Sequence, residues 1–457
     1  MVKTDVVVIG GGAAGFVAAF RASQLGSKVI LVEKERVGGI CPNWGCIPMS
    51  FMSHCIEVLK SVKEAGEDGI IVDNVHIDYT KLMGEKEKRI NGVVAGMEAV
   101  LQDTGVQVLI GSAKLISPSE IEIELEDGKK ALIQANKIVI ASGSLARRYD
   151  IPGAYGSGVL TAKELLSLDE LPHSLAIIGR SVTAMELTAV WSHLGCSVHL
   201  IARKPQLLPD EDEELVKVMR QAMEDDGLKI FAGVEIESID EDSGGKTVTI
   251  SSDGVKQKIK AQFVVFALGQ QPYIDGLGLE NAGIAVVEDR IVTNERMETG
   301  VKGIYAVGDV TGENMMASVA MMQGRIAGEN AAGVGVTMDY RVVPHAIRTM
   351  PPMAAVGITE KEAVKRGMDI KVGRFPFEQN PKAGIMRESR GFVKIVVDSA
   401  SGEVLGVHIL GPQATELIHE AAIVMKMRGT FLDIAGMIHG HPCLHEAVQM
   451  AAKSLFG

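Results

Sequence analysis

Residues 5–9 (DVVVI) form a short apolar run of the β type, followed by a glycine-rich turn at 10–15. A helical stretch then reaches about Gly26, and residues 28–33 (KVILVE) make a second strand. Together they read as a β-α-β unit of about 30 residues. The same pattern returns at 175–202, from SLAII through a turn and a helix to SVHLIA. Two such units imply two nucleotide-binding folds. Residues 103–140 and 228–268 read as short strands broken by turn signals, Asp127-Gly128 and Asp253-Gly254 among them. Beyond about 341 the texture changes. Residues 368–410 alternate as antiparallel strands do, and residues 415–428 and 443–455 read as helices. This last part reads as a separate α+β domain.

Length and charge sharpen the picture. A chain of 457 residues suggests about three domains. The formal net charge of -12 argues against nucleic acid as a partner, because phosphate binding needs clustered Lys and Arg. No run of about 18 apolar residues lacks a glycine break or a charge, so no membrane span is expected. Residues 6–20 imitate a signal peptide, but Asp5 precedes them and a glycine fingerprint runs through them, so they read as fold. Five cysteines in so long a chain make no secreted-type disulfide framework, and a cytoplasmic location is expected.

Four constellations carry chemistry. The first is Gly10-x-Gly12-x-x-Gly15 between strand and helix, with Glu33 ending the second strand. The glycines admit a pyrophosphate against the helix N-terminus, and the carboxylate suits ribose hydroxyls. The second is imperfect: Gly179-Arg-Ser181-Val-Thr-Ala184-Met-Glu186. Ser181 stands where the middle glycine belongs, and its side chain is expected to crowd the pyrophosphate. The strand that follows ends in Ala202-Arg203-Lys204 rather than an acid. Two cations there favour the 2′-phosphate of NADP over NAD, although a solvated charge pair would look the same. The third is Cys41-Pro-Asn-Trp-Gly-Cys46, bracketed by glycines. Structural zinc needs about four ligands and no second pair exists, so no metal is expected and a redox disulfide is the reading. A helix starting near Cys46 would favour its thiolate. The fourth is His439-Gly-His441-Pro-Cys443-Leu-His445-Glu446, where His441 suits proton transfer and Glu446 suits holding its ring. Alone, that cluster reads equally as surface or as a weak metal site.

In this order the elements resemble the class I pyridine nucleotide–disulfide oxidoreductases, most of all their dihydrolipoyl dehydrogenase branch. The segments that carry the resemblance are GGGAAG (10–15), GGICPNWGCIP (38–48), ALGQQP (267–272), GIYAVGDVTG (303–312), PPMAAVGITE (351–360) and HGHPCLHEA (439–447). The resemblance implies two Rossmann-like domains, for FAD and NAD(P), plus a C-terminal α+β dimerisation domain. Its divisions would be 1–148 and 273–340 for FAD, 149–272 for NAD(P), and 341–457 for the dimer interface. Gly10, Gly12, Gly15 and Glu33 would hold the ADP half of FAD, Gly143 a second flavin-side segment, and Asp309 the ribityl chain. Gly179, Ser181, Ala184, Glu186, Arg203, Lys204 and Gly269 fall to the nicotinamide nucleotide. Cys46 would lie against the flavin and Cys41 would exchange with substrate. His441 would serve the other subunit of a homodimer, with Glu446 orienting it. The expected substrate is a small-molecule disulfide or dithiol, a protein-bound lipoyl group included. Reduction of a different disulfide with NADPH is the nearest alternative, and a low-turnover flavin-bound redox sensor the alternative of another kind.

The chain also departs from the family. A Lys usually follows the second cysteine by three or four residues, where this chain has Met49 and Ser50. Glu186 is therefore expected to lack its cation. Trp44 is expected to pack rather than gate the sulfurs, Cys55 and Cys196 to be buried structural thiols, and Cys443 to be either a third reachable thiol or a small buried residue.

Overall fold

The computed structural model describes residues 2–242 and 244–456. Strand β1 (Val2–Ile9) runs through the middle of the first sheet, between β2 (Val29–Glu33) and β5 (Lys130–Ile140), parallel to both. Val6–Ile9 are buried, as a parallel strand covered on both faces must be. The apolar start of the chain is thus the centre of a sheet. Between β1 and β2 lies α1 (Ala13–Gln24); after β2 come α2 (Ile40–Trp44), α3 (Cys46–Glu64) and α4 (Tyr79–Asp103). Strand β3 (Gln107–Ser117) extends the sheet parallel to β2, then turns through β4 (Glu120–Leu125) into β5 as an antiparallel meander. The strand Ile304–Ala306 closes the other edge, parallel to β5.

A second sheet is parallel throughout: Lys229–Ala232, Ser197–Ala202, Ser174–Ile178, Phe263–Phe266 and Val159–Thr161, in that order. A three-stranded antiparallel sheet (235–261) lies beside it in sequence. The third large sheet, of five strands between His345 and Leu410, is antiparallel and carries the helices Ala414–Lys426, Phe431–Ala435 and Glu446–Lys453. The last helix begins three residues later than the periodicity over 443–455 predicts. Cys443, Leu444 and His445 lie in the turn before it, because the Glu446 carboxylate accepts the Cys443 N–H and holds that turn outside the helix.

A buried cation ties the third sheet to the second. Lys394 is 2% exposed, and its Nζ meets Asp212 at 2.8 Å, Glu214 at 2.6 Å and Glu360 at 2.7 Å. A charge so deeply buried is tolerable only when paired.

Candidate active site

The glycine loop after β1 is shaped by sterics. A Cβ on Gly10 would sit 2.2 Å from the Ala141 carbonyl oxygen, and one on Gly15 would sit 1.8 Å from that of Gly10. Gly12 caps α1 without any side-chain hydrogen bond, leaving first-turn N–H groups free for an anion. Glu33 is buried at the end of β2 and accepts the Gly11 N–H at 2.6 Å and the Glu35 N–H at 2.9 Å. It braces the loop, with lone pairs left for a ribose. On the far side, Gly143 adopts φ +75° and Ser144 donates to Asp309 at 2.5 Å. Burial raises the Asp309 carboxyl above its ordinary range, against that hydrogen bond. An uncapped helix N-terminus, a carboxylate at the ribose position and a desolvated acid at the far end fit FAD.

The second fingerprint lines a cavity of about 480 Å³ with Gly179, Ser181, Arg203 and Lys204. Ser181 does not crowd that space as its position predicts. Its Oγ turns back to donate to the Ala267 carbonyl at 2.8 Å, and it accepts the Ala184 N–H as the cap of the helix Val182–His193. Ala184 is fully buried and forms the tight side of the turn; a Cβ on Gly179 would come within 3.0 Å of its own. Gly269, at φ +86°, accepts the Arg147 N–H across the strands that join the two nucleotide units. Arg203 lies over the Tyr149 ring at 3.8 Å, and its buried Nε has no hydrogen-bond partner. Arg147, Arg148 and Arg180 line the same cavity, cations that the sequence pattern did not single out. Of the two acids there, Asp210 and Glu211, the latter is held by His345 at 2.7 Å. An orphaned guanidinium N–H in a cationic cavity fits a phosphorylated nucleotide.

Cys41 is the second residue of α2, and Cys46 begins α3 as expected. Both are free thiols, hydrogen-bonded to one another. The Cys41 thiol is pushed up, chiefly by that hydrogen bond and then by burial. The bond from Cys41 pulls Cys46 down; burial opposes this and Arg348 assists it. Within the pair, Cys46 is the thiol pulled toward ionisation and Cys41 the one pushed away from it, and the α3 N-terminus favours the same direction. Trp44 packs, with Lys163 3.7 Å above its ring. Cys196 is buried with its thiol raised to about 12, whereas Cys55 is only half-buried. Cys443 is also half-buried.

The expectation that Glu186 lacks a cation is wrong. Its buried carboxylate accepts the backbone N–H of Arg348 at 2.9 Å, and the guanidinium lies 3.5 Å away. The missing Lys is explained by Met49, which is buried in an apolar cluster with Met185 and Ile347, the neighbours of Glu186 and Arg348. No pattern in the sequence marks Arg348, which stands among His345, Ala346, Ile347 and Thr349.

His441 and Glu446 are joined, Nδ1 to Oε1, at 3.0 Å. The Cys443 N–H, then His441, hold the Glu446 carboxyl below its ordinary range. His441 is 72% exposed, and among the described residues no recorded contact joins it to Cys41 or Cys46 within one chain.

Residues 4–324 match the family model for pyridine nucleotide-disulphide oxidoreductases, and residues 343–452 match the dimerisation domain of that family. The chain is 36% identical to dihydrolipoyl dehydrogenase of Mycobacterium leprae over 465 residues, covering 100% of this chain and 99% of the relative. LpdA from Mycobacterium tuberculosis superposes with a TM-score of 0.91 at 28% identity, covering 100% of both chains. The Cu(II) complex of the HOCl-induced flavoprotein disulfide reductase RclA from Escherichia coli does so at 0.89 and 27%, covering 99% of both. The fold, the paired sulfurs and these matches together show that the chain belongs to the pyridine nucleotide-disulphide oxidoreductase family, as a dihydrolipoyl dehydrogenase-like enzyme that uses FAD and NAD(P).

Proposed function

We propose that this enzyme exchanges electrons between NADP(H) and a small-molecule disulfide or dithiol, as a cytoplasmic homodimer. The observation that carries the chemistry is the pair of free cysteines brought together by α2 and the start of α3, Cys41 and Cys46. The cationic cavity around Arg203 supports NADP over NAD. The chain divides in this reading into 1–148 and 273–340 for FAD, 149–272 for the nicotinamide nucleotide, and 341–457 for the interface.

Gly10, Gly12, Gly15, Glu33, Gly143 and Asp309 would hold FAD, which would supply the two-electron relay between nicotinamide and sulfur. The rest is done by side chains. His441 takes the Cys41 proton; the Cys41 thiolate then attacks one sulfur of the substrate disulfide, forming a mixed disulfide and expelling a thiolate to which the His441 imidazolium returns that proton. Cys46 thiolate then attacks the Cys41 sulfur, releases the second substrate thiolate and closes the Cys41–Cys46 disulfide. Two electrons from NADPH reopen it. Glu446 holds the His441 ring through Nδ1, so the other nitrogen faces the exchange. Oxidation of a dihydrolipoyl group with NAD is the same path reversed, and the relationship to a dihydrolipoyl dehydrogenase favours it as the second reading.

Anaerobic titration with NADPH and, separately, NADH, followed by visible spectrum, tests this reading. A long-wavelength thiolate-to-flavin absorbance is expected, at lower NADPH than NADH. Arg203→Ala should raise the NADPH requirement about tenfold or more, on the order of one charge-assisted contact, and leave NADH unaffected. Equal response to both nucleotides would remove the NADP assignment. A flavin left oxidised by both would favour the redox-sensor alternative.

A further inference from the structure

We infer that His345, supplied by the C-terminal sheet, is a positioning residue of the nicotinamide-nucleotide site: it engages the Glu211 carboxylate and so leaves the cations of that cavity to the phosphates of the nucleotide. The inference rests on the NADP reading above and deepens it. Arg147, Arg180, Arg203 and Lys204 line the cavity, and among the described residues no ion pair joins any of them to an acid. Arg148, which lines it too, already pairs with Glu164 at 3.2 Å. The acids that line the same cavity are Asp210 and Glu211. Asp210 is exposed, so water and salt screen it. Glu211 is 8% exposed, and a carboxylate so placed needs a partner. Its Oε1 meets His345 Nε2 at 2.7 Å, across 134 residues of sequence. Without His345, the cations left to Glu211 are those that line the cavity with it, and the carboxylate would stand where a phosphate oxygen belongs.

The fold fixes both members of the pair. His345 opens the edge strand His345–Ile347 of the antiparallel sheet and stands opposite Ala355 in the next strand. Burial works against a charged imidazole there, but the hydrogen bond and charge of Glu211, with the charge of Asp210, outweigh it and raise His345 above its ordinary range. The next residue along the loop is gripped in the same way. Asp212 meets the buried Lys394 of the same sheet at 2.8 Å, and it also accepts the N–H groups of Glu214 and Leu215 as the cap of the helix Glu213–Asp225. At the other end of the loop, the Leu208 N–H donates to the Arg180 carbonyl at 3.0 Å, inside the second fingerprint. Two consecutive carboxylates on the wall of the nucleotide cavity are thus held by side chains of the C-terminal sheet. Nucleotide affinity therefore depends on a residue that lies outside 149–272.

The experiment titrates the oxidised, flavin-loaded protein with NADP+ and, separately, NAD+ by calorimetry. His345→Ala leaves a buried carboxylate unpaired beside the phosphates and should weaken NADP+ about tenfold or more. NAD+, with one phosphate fewer, should lose less. Glu211→Gln should bind NADP+ at least as tightly as wild type. Combining His345→Ala with Glu211→Gln should recover the affinity that His345→Ala alone loses, whereas a purely structural role of His345 predicts no recovery. A double variant as weak as His345→Ala overturns the inference, and so does a His345→Ala variant with wild-type affinity. A Glu211→Gln variant that binds NADP+ more weakly than wild type overturns it as well, since Glu211 would then be a ligand of the nucleotide. Should His345→Ala fail to fold, His345→Gln, which keeps a donor and loses the charge, decides by the same comparison. Equal wild-type affinity for the two nucleotides would instead count against the NADP reading. The loss and its recovery, read with NAD+ and its pyrophosphate, would still decide for His345.

Discussion

Asp309 lies in the single turn Gly308–Thr311, where burial lifts its carboxyl above the ordinary range despite the hydrogen bond from Ser144. The sign follows from linkage. A carboxyl raised by folding binds protons more tightly in the folded state than in the unfolded chain, whose value is about 3.9. Its contribution to stability is fully present below that value and is lost as pH rises through the higher, folded one. Asp309→Asn removes the ionisation while keeping the shape and an acceptor for Ser144. The apoprotein of this variant should therefore lose less thermal stability than wild type between acid and neutral pH. Retained flavin should fall if, as proposed, the desolvated carboxylate holds the cofactor's hydroxyls. Melting curves of both apoproteins across pH test the first statement and absorbance ratios of purified protein the second. A variant that tracks wild type at every pH would mean that Asp309 is solvated in the apoprotein.

Helices and strands were legible wherever period and punctuation agree. The run at 5–9 and the glycines at 10–15 announce β1 and α1 because a buried parallel strand is apolar on both faces and only glycine clears the Ala141 carbonyl. The thiol at the start of α3 was legible for the same reason: glycines before it and a Pro in its first turn mark a helix beginning. Ser181 was misread because spacing gives a position and not a rotamer. The hydroxyl turns back to donate to the Ala267 carbonyl at 2.8 Å. Arg348 was not legible at all, since its role is a contact between distant segments. The Ser181 geometry makes a prediction of its own. Ser181→Ala removes both a helix cap and a hydrogen bond, and should lower unfolding stability by about 1 kcal/mol in a urea titration. A neutral substitution would show that the cap is supplied by solvent.

Across the whole molecule, the proposed mechanism calls for a second chain to complete the site. The first nucleotide unit carries the sulfur pair, the second carries Glu186 and the cationic cavity, and Lys394 ties the C-terminal sheet to the second. His441 stands 72% exposed and is oriented by Glu446. The same unit leaves Ile423, Met427, Leu432, Met437, Ile438 and Phe456 exposed, Ile438 at 94%. An apolar surface of that kind on a family dimerisation domain marks the face that a second copy covers. Ile438 lies three residues from His441, so covering it would carry the imidazole toward the partner's sulfurs. Ile438→Asp should therefore sediment as a monomer where wild type sediments as a dimer. In that monomer NADPH should still reduce the flavin, because the nucleotide cavity and the sulfur pair belong to one chain. Turnover with a disulfide should fall at least about a hundredfold, the usual worth of a positioned acid-base group. A monomer that turns over at the wild-type rate would show that His441 serves its own chain; a variant that remains a dimer would move the interface away from Ile438.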